Sequence, residues 1–148
     1  MTNHPAVLDA AVGDPIPPFS RTTDLATLNR YAAVNYEFVP IHMDDEEGRK
    51  AGYPRAFGMG NLSTAYLLNA LREWIGEEGT IRSLSVQFRR ANLRDTTIRA
   101  TGRVTAIRDE RGERVIDLEV WTEDDEGRLA PGSATVSVPL PVEVGDAS

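Results

Sequence analysis

Asn61-Leu62-Ser63-Thr64-Ala65-Tyr66-Leu67-Leu68-Asn69-Ala70-Leu71-Arg72-Glu73-Trp74-Ile75 is the stretch on which the fold turns. Leu62, Ala65, Leu68, Leu71 and Ile75 recur at helical spacing, and Tyr66, Leu67 and Trp74 widen the apolar stripe. A helix this apolar is expected to be substantially buried. Gly76 is the stop signal, because glycine accepts the left-handed backbone that ends helices. What buries the helix lies downstream. Leu84, Val86 and Phe88 alternate with Ser83, Ser85, Gln87 and Arg89, and Ile98, Ala100, Gly102 and Val104 alternate with polar residues from Thr97 to Thr105. Arg111-Gly112 marks a hairpin turn. Ile116, Leu118 and Val120 form the next inward face. Beyond 124–127, Ala134, Val136, Val138 and Leu140 form the last. Period-two alternation predicts antiparallel strands with one covered face.

One long buried helix followed by antiparallel strands is an α+β pattern. The simplest packing wraps the sheet around the helix, which is the hot-dog architecture, although periodicity alone does not separate it from other helix-on-sheet folds. Upstream, residues 1–11 are expected to be a flexible tail. Val12 to Pro18 is turn-rich, Phe19 to Thr22 reads as a short strand, and Thr23 or Asp24 caps a helix carrying Leu25, Leu28, Tyr31 and Ala32. Asn35 to His42 is irregular. Asp44 to Ala51 is a polar segment of one or two helical turns that Gly52-Tyr53-Pro54 ends. The expected organisation is one domain over 12–141, with a second tail at 142–148.

The 148 residues suit one core. The net charge of −7 argues against non-specific nucleic-acid binding, which needs a positive surface. With no cysteine, disulfides, thiolate metal sites and cysteine nucleophiles are excluded. His4 and His42 are the only histidines, so no multi-histidine metal site is available. No apolar run approaches the roughly 20 residues that span a bilayer, and no membrane insertion is expected. Met1 to Val12 lacks a basic segment followed by an apolar one, so the expected compartment is the cytoplasm.

Chemistry has few carriers. His42 follows Pro40 in the irregular stretch, beside the acids Asp44, Asp45, Glu46 and Glu47; a solvated surface histidine is the competing reading. Glu37 lies five residues earlier. A histidine and a carboxylate brought together can activate one water between them. Phe57-Gly58-Met59-Gly60 precedes the long helix, whose first N–H groups have no intrahelical acceptor and can hold a developing negative charge. Arg82, Arg89, Arg90, Arg94 and Arg99 make 82–99 basic; an arginine-lined strand face is the commoner explanation than phosphate binding. Ser63 lacks a second histidine for a triad. The acids at 44–47 lack calcium-loop spacing.

The stretch from Tyr31 through Ser63 resembles the hydratase segment of MaoC-like, (R)-specific enoyl-CoA hydratases. That family carries an aspartate, four residues, then a histidine in an Asn-Pro-Ile-His setting. Glu37-Phe38-Val39-Pro40-Ile41-His42 has the same length and ends in the same three residues. Asp44 stands where the family has an acid, and Met59-Gly60 where it has a histidine-glycine pair opening the central helix. Val12-Gly13-Asp14, Asn92-Leu93-Arg94-Asp95-Thr96 and Gly102-Arg103-Val104 extend the resemblance over roughly 12–140. Three positions depart from the pattern. Glu37 replaces aspartate, and its extra methylene would shift the base by ~1 Å, a misplacement that can cost about 10²-fold in rate. Met59 replaces histidine, and Arg94 replaces a loop glycine.

The resemblance implies a hot-dog domain that interconverts a 2-enoyl-CoA and a 3-hydroxyacyl-CoA. Glu37 and His42 would handle the water, and the Gly60 backbone N–H would hold the thioester oxygen. Phe38, Val39, Phe57 and Tyr66 are the candidate acyl-pocket residues. No metal or redox cofactor is implied. The expected substrate handle is CoA or an acyl carrier protein, and the expected assembly is a homodimer or a heterodimer with a similar subunit. Two alternatives stay open: a non-catalytic or weakly active acyl-CoA-binding subunit of a heteromeric hydratase, and a hot-dog thioesterase.

Overall fold

The computed structural model describes residues 6–36 and 40–142. Five strands form one antiparallel sheet: β1 (Phe19–Thr22), β3 (Thr80–Val86), β5 (Thr97–Glu110), β6 (Glu113–Asp124) and β7 (Gly127–Pro139), in the order β1-β5-β6-β7-β3. Two short strands, β2 (Phe57–Gly58) and β4 (Asn92–Leu93), pair separately. The helices are α1 (Leu25–Val34), α2 (Asp45–Lys50) and α3 (Gly60–Ile75), with 3-10 turns at Val7–Asp9 and Pro40–His42. None of the described helices is long and apolar enough to cross a membrane.

β5 and β6 are joined at Arg111-Gly112. Both residues have positive φ, 52° and 80°, so the two-residue turn has the twist that an antiparallel hairpin requires. Register shifts between Val104 and Ala106, Thr122 and Glu123, and Ile81 and Ser83 add local bends that help the sheet to curl. Helix α3 lies in the concave face. Leu67 and Leu71 are fully buried in one core cluster with Ile98, Val104, Ile116, Leu118, Val120 and Val136. Fully burying a Leu or Ile side chain contributes about 2 kcal/mol. This is a hot-dog fold, a curled antiparallel sheet around one helix.

The buried face of α3 is Leu62, Ser63, Tyr66, Leu67, Ala70, Leu71, Trp74 and Ile75. Ala65 and Leu68, expected at its centre, flank it at intermediate burial. Asp24 rather than Thr23 caps α1, accepting from the Thr27 N–H at 2.7 Å. Thr23 is buried, and its hydroxyl is spent on the Leu93 carbonyl at 2.8 Å.

Three expectations are corrected. The inward face of β3 stops at Val86, and Phe88 is 53% exposed. Beyond β3 the chain stays bonded to β7 in irregular register, Gln87 N–H to Pro131 O and Arg89 N–H to Leu129 O. Leu140 follows β7, which ends at Pro139, and it is only half-buried. Residues 7–10 do not behave as part of the flexible tail expected over 1–11. Val7 and Leu8 pack on the core, Ala10 is buried, and Arg114 Nη1 donates to the Leu8 carbonyl at 2.8 Å.

Candidate active site

Pro40–His42 is a tight turn in which the Pro40 carbonyl accepts from the N–H groups of Met43 and Asp44, at 2.9 and 3.0 Å. The turn directs His42 inward: the residue is only 7% exposed, which removes the surface-histidine reading. Its Nδ1 lies 2.7 Å from the Phe57 carbonyl oxygen. A carbonyl only accepts, so Nδ1 carries a proton, and in the neutral ring the free lone pair is therefore on Nε2. The Phe57 ring stands edge-on to the imidazole, with centroids 5.6 Å apart and planes at 86°.

Asp44 and Asp45, after His42, are structural. Asp44 caps α2, accepting from the Glu46 N–H at 2.8 Å. Asp45 accepts from the Ala56 N–H at 3.0 Å and pairs with Arg94 Nη1 at 2.8 Å. These bonds fasten α2 to the segments leading into β2 and out of β4, and so hold the His42 turn beside Phe57. Arg94, in the place of the family's loop glycine, is thus a fastening. Arg82, Arg90 and Arg99 are paired with Glu113, Asp124 and Glu123. Arg89 donates to the Gln87 side chain at 2.8 Å.

Phe57 also fronts a cavity of about 450 Å³, whose wall includes Tyr53, Gly58, Gly60, Ser63, Phe88 and Asn92. The cavity opens on the first turn of α3. Met59 is the N-cap and makes no side-chain cap bond; the Leu62 N–H turns back to the Met59 carbonyl at 3.0 Å, and the Gly60 and Asn61 N–H groups have no acceptor within the helix. The Phe88 ring crosses Gly60 so closely that a Cβ there would come within 2.7 Å of it. Behind the wall is a buried polar chain. Thr122 Oγ1 lies 3.2 Å from Ser63 Oγ, Ser63 donates to Asn92 Oδ1 at 3.0 Å, and Asn92 Nδ2 donates to the Met59 carbonyl at 3.1 Å.

Of the residues expected to act, the structure sets His42 against Phe57, and puts Phe57 and Gly60 on one cavity wall of which His42 is not a lining residue. Glu37, Phe38 and Val39 lie outside the described residues. Tyr66 is not on the cavity wall. It is buried against Phe19, with ring centroids 5.7 Å apart, and its hydroxyl has no hydrogen-bond partner among the described residues. Burial pushes its phenol above the usual value. Sequence reasoning missed Tyr53, Phe88 and Asn92 as wall residues, and Ser63 as part of a polar chain. Ser63 did carry a signal. It shares helical spacing with Leu67, Ala70 and Trp74, and a hydroxyl on a buried face needs a partner.

A family profile described as "MaoC like domain" matches residues 9–126. The chain belongs to the MaoC-like domain family. Solved structures agree on the fold of this MaoC-like chain. An (R)-hydratase from A. caviae involved in PHA biosynthesis is 21% identical, with 88% of this chain and 98% of that one covered and a TM-score of 0.79. A chain of the ChsH1-ChsH2 complex from Mycobacterium tuberculosis is 20% identical, covering 86% and 98%, at a TM-score of 0.77. A chain of the HadBC (3R-hydroxyacyl-ACP dehydratase) complex from the same organism is 12% identical, covering 86% and 98%, at 0.66. No curated protein matches the chain in sequence.

Proposed function

We propose that this chain catalyses the reversible hydration of a 2-enoyl thioester to the 3-hydroxyacyl thioester, with CoA or a carrier-protein pantetheine as the handle. The observation that carries the reading is the orientation of His42. The Phe57 carbonyl holds the Nδ1 proton, so that Nε2 is the acceptor in the neutral ring, and the same Phe57 walls the cavity at the head of α3.

In the hydration direction Glu37 and His42 hold one water. As its oxygen bonds to C3, a proton passes to the pair and the C2=C3 electrons move toward the thioester. The Gly60 N–H donates to the enolate-like oxygen that results. The pair then returns a proton to C2, so that one water is added in all. Phe57, with Phe38 and Val39, would line the acyl chain. Tyr66, seated in the core, would act only from behind the wall.

Loss of the conjugated thioester absorbance of crotonyl-CoA, or of a longer enoyl-CoA, tests the activity. His42→Ala is expected to lower kcat by about 10²–10⁴-fold, the usual worth of a general base. Purified wild type that leaves short, long and ring-bearing substrates unchanged would sink the stand-alone enzyme. In the same assay Glu37→Gln should remove most of the rate. A gain in Glu37→Asp would mark Glu37 as a drifted base, and a loss would mark it as an adapted one. Release of free thiol without hydration would favour the thioesterase.

A second reading is favoured by the likeness to chains of the ChsH1-ChsH2 and HadBC complexes, both assemblies of unlike subunits by name. In it the chain supports a catalytic partner, and turnover appears only when a co-purifying hot-dog subunit is added.

A further inference from the structure

We infer that Asn92 is a positioning residue that steadies the direction of the Gly60 N–H, a role that rests on the function proposed above. The Met59 carbonyl and the Gly60 N–H are the two ends of one planar amide. Whatever grips the oxygen therefore helps to aim the hydrogen. The Leu62 N–H of the first turn grips it at 3.0 Å, and Asn92 Nδ2 adds a second grip at 3.1 Å from outside the helix. The second grip matters because Gly60 has no Cβ to restrict rotation beside that amide, and Met59 makes no side-chain cap bond. A tilt of the plane would turn the N–H away from the thioester oxygen it is proposed to hold.

Asn92 cannot itself turn over. Its Oδ1 accepts from Ser63 at 3.0 Å, and Ser63 is tied to Thr122 at 3.2 Å on β6, a central strand of the sheet. Since the Met59 oxygen only accepts, the proton order along the chain is Thr122 to Ser63 to Asn92 to Met59. Asn92 and Ser63 are 2% exposed and Thr122 is 0% exposed, so water does not compete for these bonds. A carbonyl that accepts a bond also makes the N–H of its own amide a stronger donor. Asn92 thus steadies the oxyanion donor and strengthens it through the Met59 carbonyl.

The test is Asn92→Leu, which keeps the approximate volume but has no hydrogen for the Met59 oxygen. Two readouts are taken: steady-state hydration of crotonyl-CoA, and the carbonyl stretch of bound [1-¹³C]butyryl-CoA, a saturated thioester that cannot be hydrated. The expected result is a kcat lowered by about 10²-fold with KM within about threefold, and a thioester carbonyl less red-shifted than on the wild type. Folded Asn92→Leu with unchanged kcat and an unchanged carbonyl stretch overturns the inference, because a merely structural role lowers stability and leaves both alone. If Asn92→Leu does not fold, Ser63→Ala is read instead. It removes the anchor and keeps the amide, and it should lower kcat and the red shift in the same sense by a smaller factor; no change there overturns the inference. Wild type that hydrates nothing yet shows an Asn92-dependent red shift overturns the proposed function and supports this inference. Wild type that hydrates crotonyl-CoA with no dependence on Asn92 does the reverse. Wild type that neither hydrates nor binds overturns both.

Discussion

Phe57 serves two neighbours at once. Its carbonyl fixes the His42 ring, and its side chain walls the cavity. The next residue, Gly58, has to be small for the same arrangement to close. A Cβ there would fall 2.7 Å from Leu28 Cδ2 and 3.2 Å from Leu62 Cδ2, both in the core. Gly58→Ala should therefore cost about 1–3 kcal/mol through overpacking, read as a lower urea midpoint with an unchanged slope. An unshifted midpoint would mean that the α1–α3 contact has slack. Pro40-Ile41-His42 picked out His42 in the sequence, and the structure buries that residue against Phe57. The partner was not legible there, because a backbone carbonyl 15 residues away carries no residue type to recognise. Asn92 was hidden for a related reason: its role depends on which peptide oxygen it reaches, and spacing does not encode that.

Helix α3 and the strands show how periodicity informs and misleads. The helix ends fall within a residue of those expected. Yet reading every third residue from Leu62 drifts off a 3.6-residue turn, so Leu68 was placed inward while Tyr66, Leu67 and Trp74 hold the true centre. Alternation likewise names the face of β3 but not its end, and so Phe88 was put in the core. Across β5 and β6 the polar face carries its own order. Glu119 meets Arg128 at 2.9 Å and Arg103 at 2.8 Å, and these guanidiniums, Arg128 first, hold its carboxyl below the ordinary value of 4.5. A carboxylate lowered by folding stabilises the native state above its unfolded pKa, and that contribution is lost as pH falls through the folded pKa. Thermal midpoints should therefore begin to fall below about pH 4.5, and Glu119→Gln should remove part of that slope. The part is small, because the pairs are exposed and screened. Parallel pH profiles for the two proteins would refute the assignment.

At the scale of the molecule the two sheet edges are unlike. β1 has four residues and follows Pro15, Pro17 and Pro18, whereas β3 has seven, without proline, and pairs only with β7 among the described strands. An unpaired edge of that length invites another strand. A second hot-dog chain, like or unlike, should dock there. Light scattering should then give a multiple of the 16.3 kDa chain mass, and the β3 amides should exchange slowly along both edges. A 16.3 kDa particle with half of those amides exchanging freely would refute the docking. The chain of bonds from Thr122 to Met59 has one more result. It joins the head of α3 to a strand in the middle of the sheet, so the proposed catalytic site has no independent melting of its own. On slow heating, enzymatic rate and far-ultraviolet ellipticity should disappear together at one temperature, instead of the rate failing first as it does when an active site sits on a loose flap.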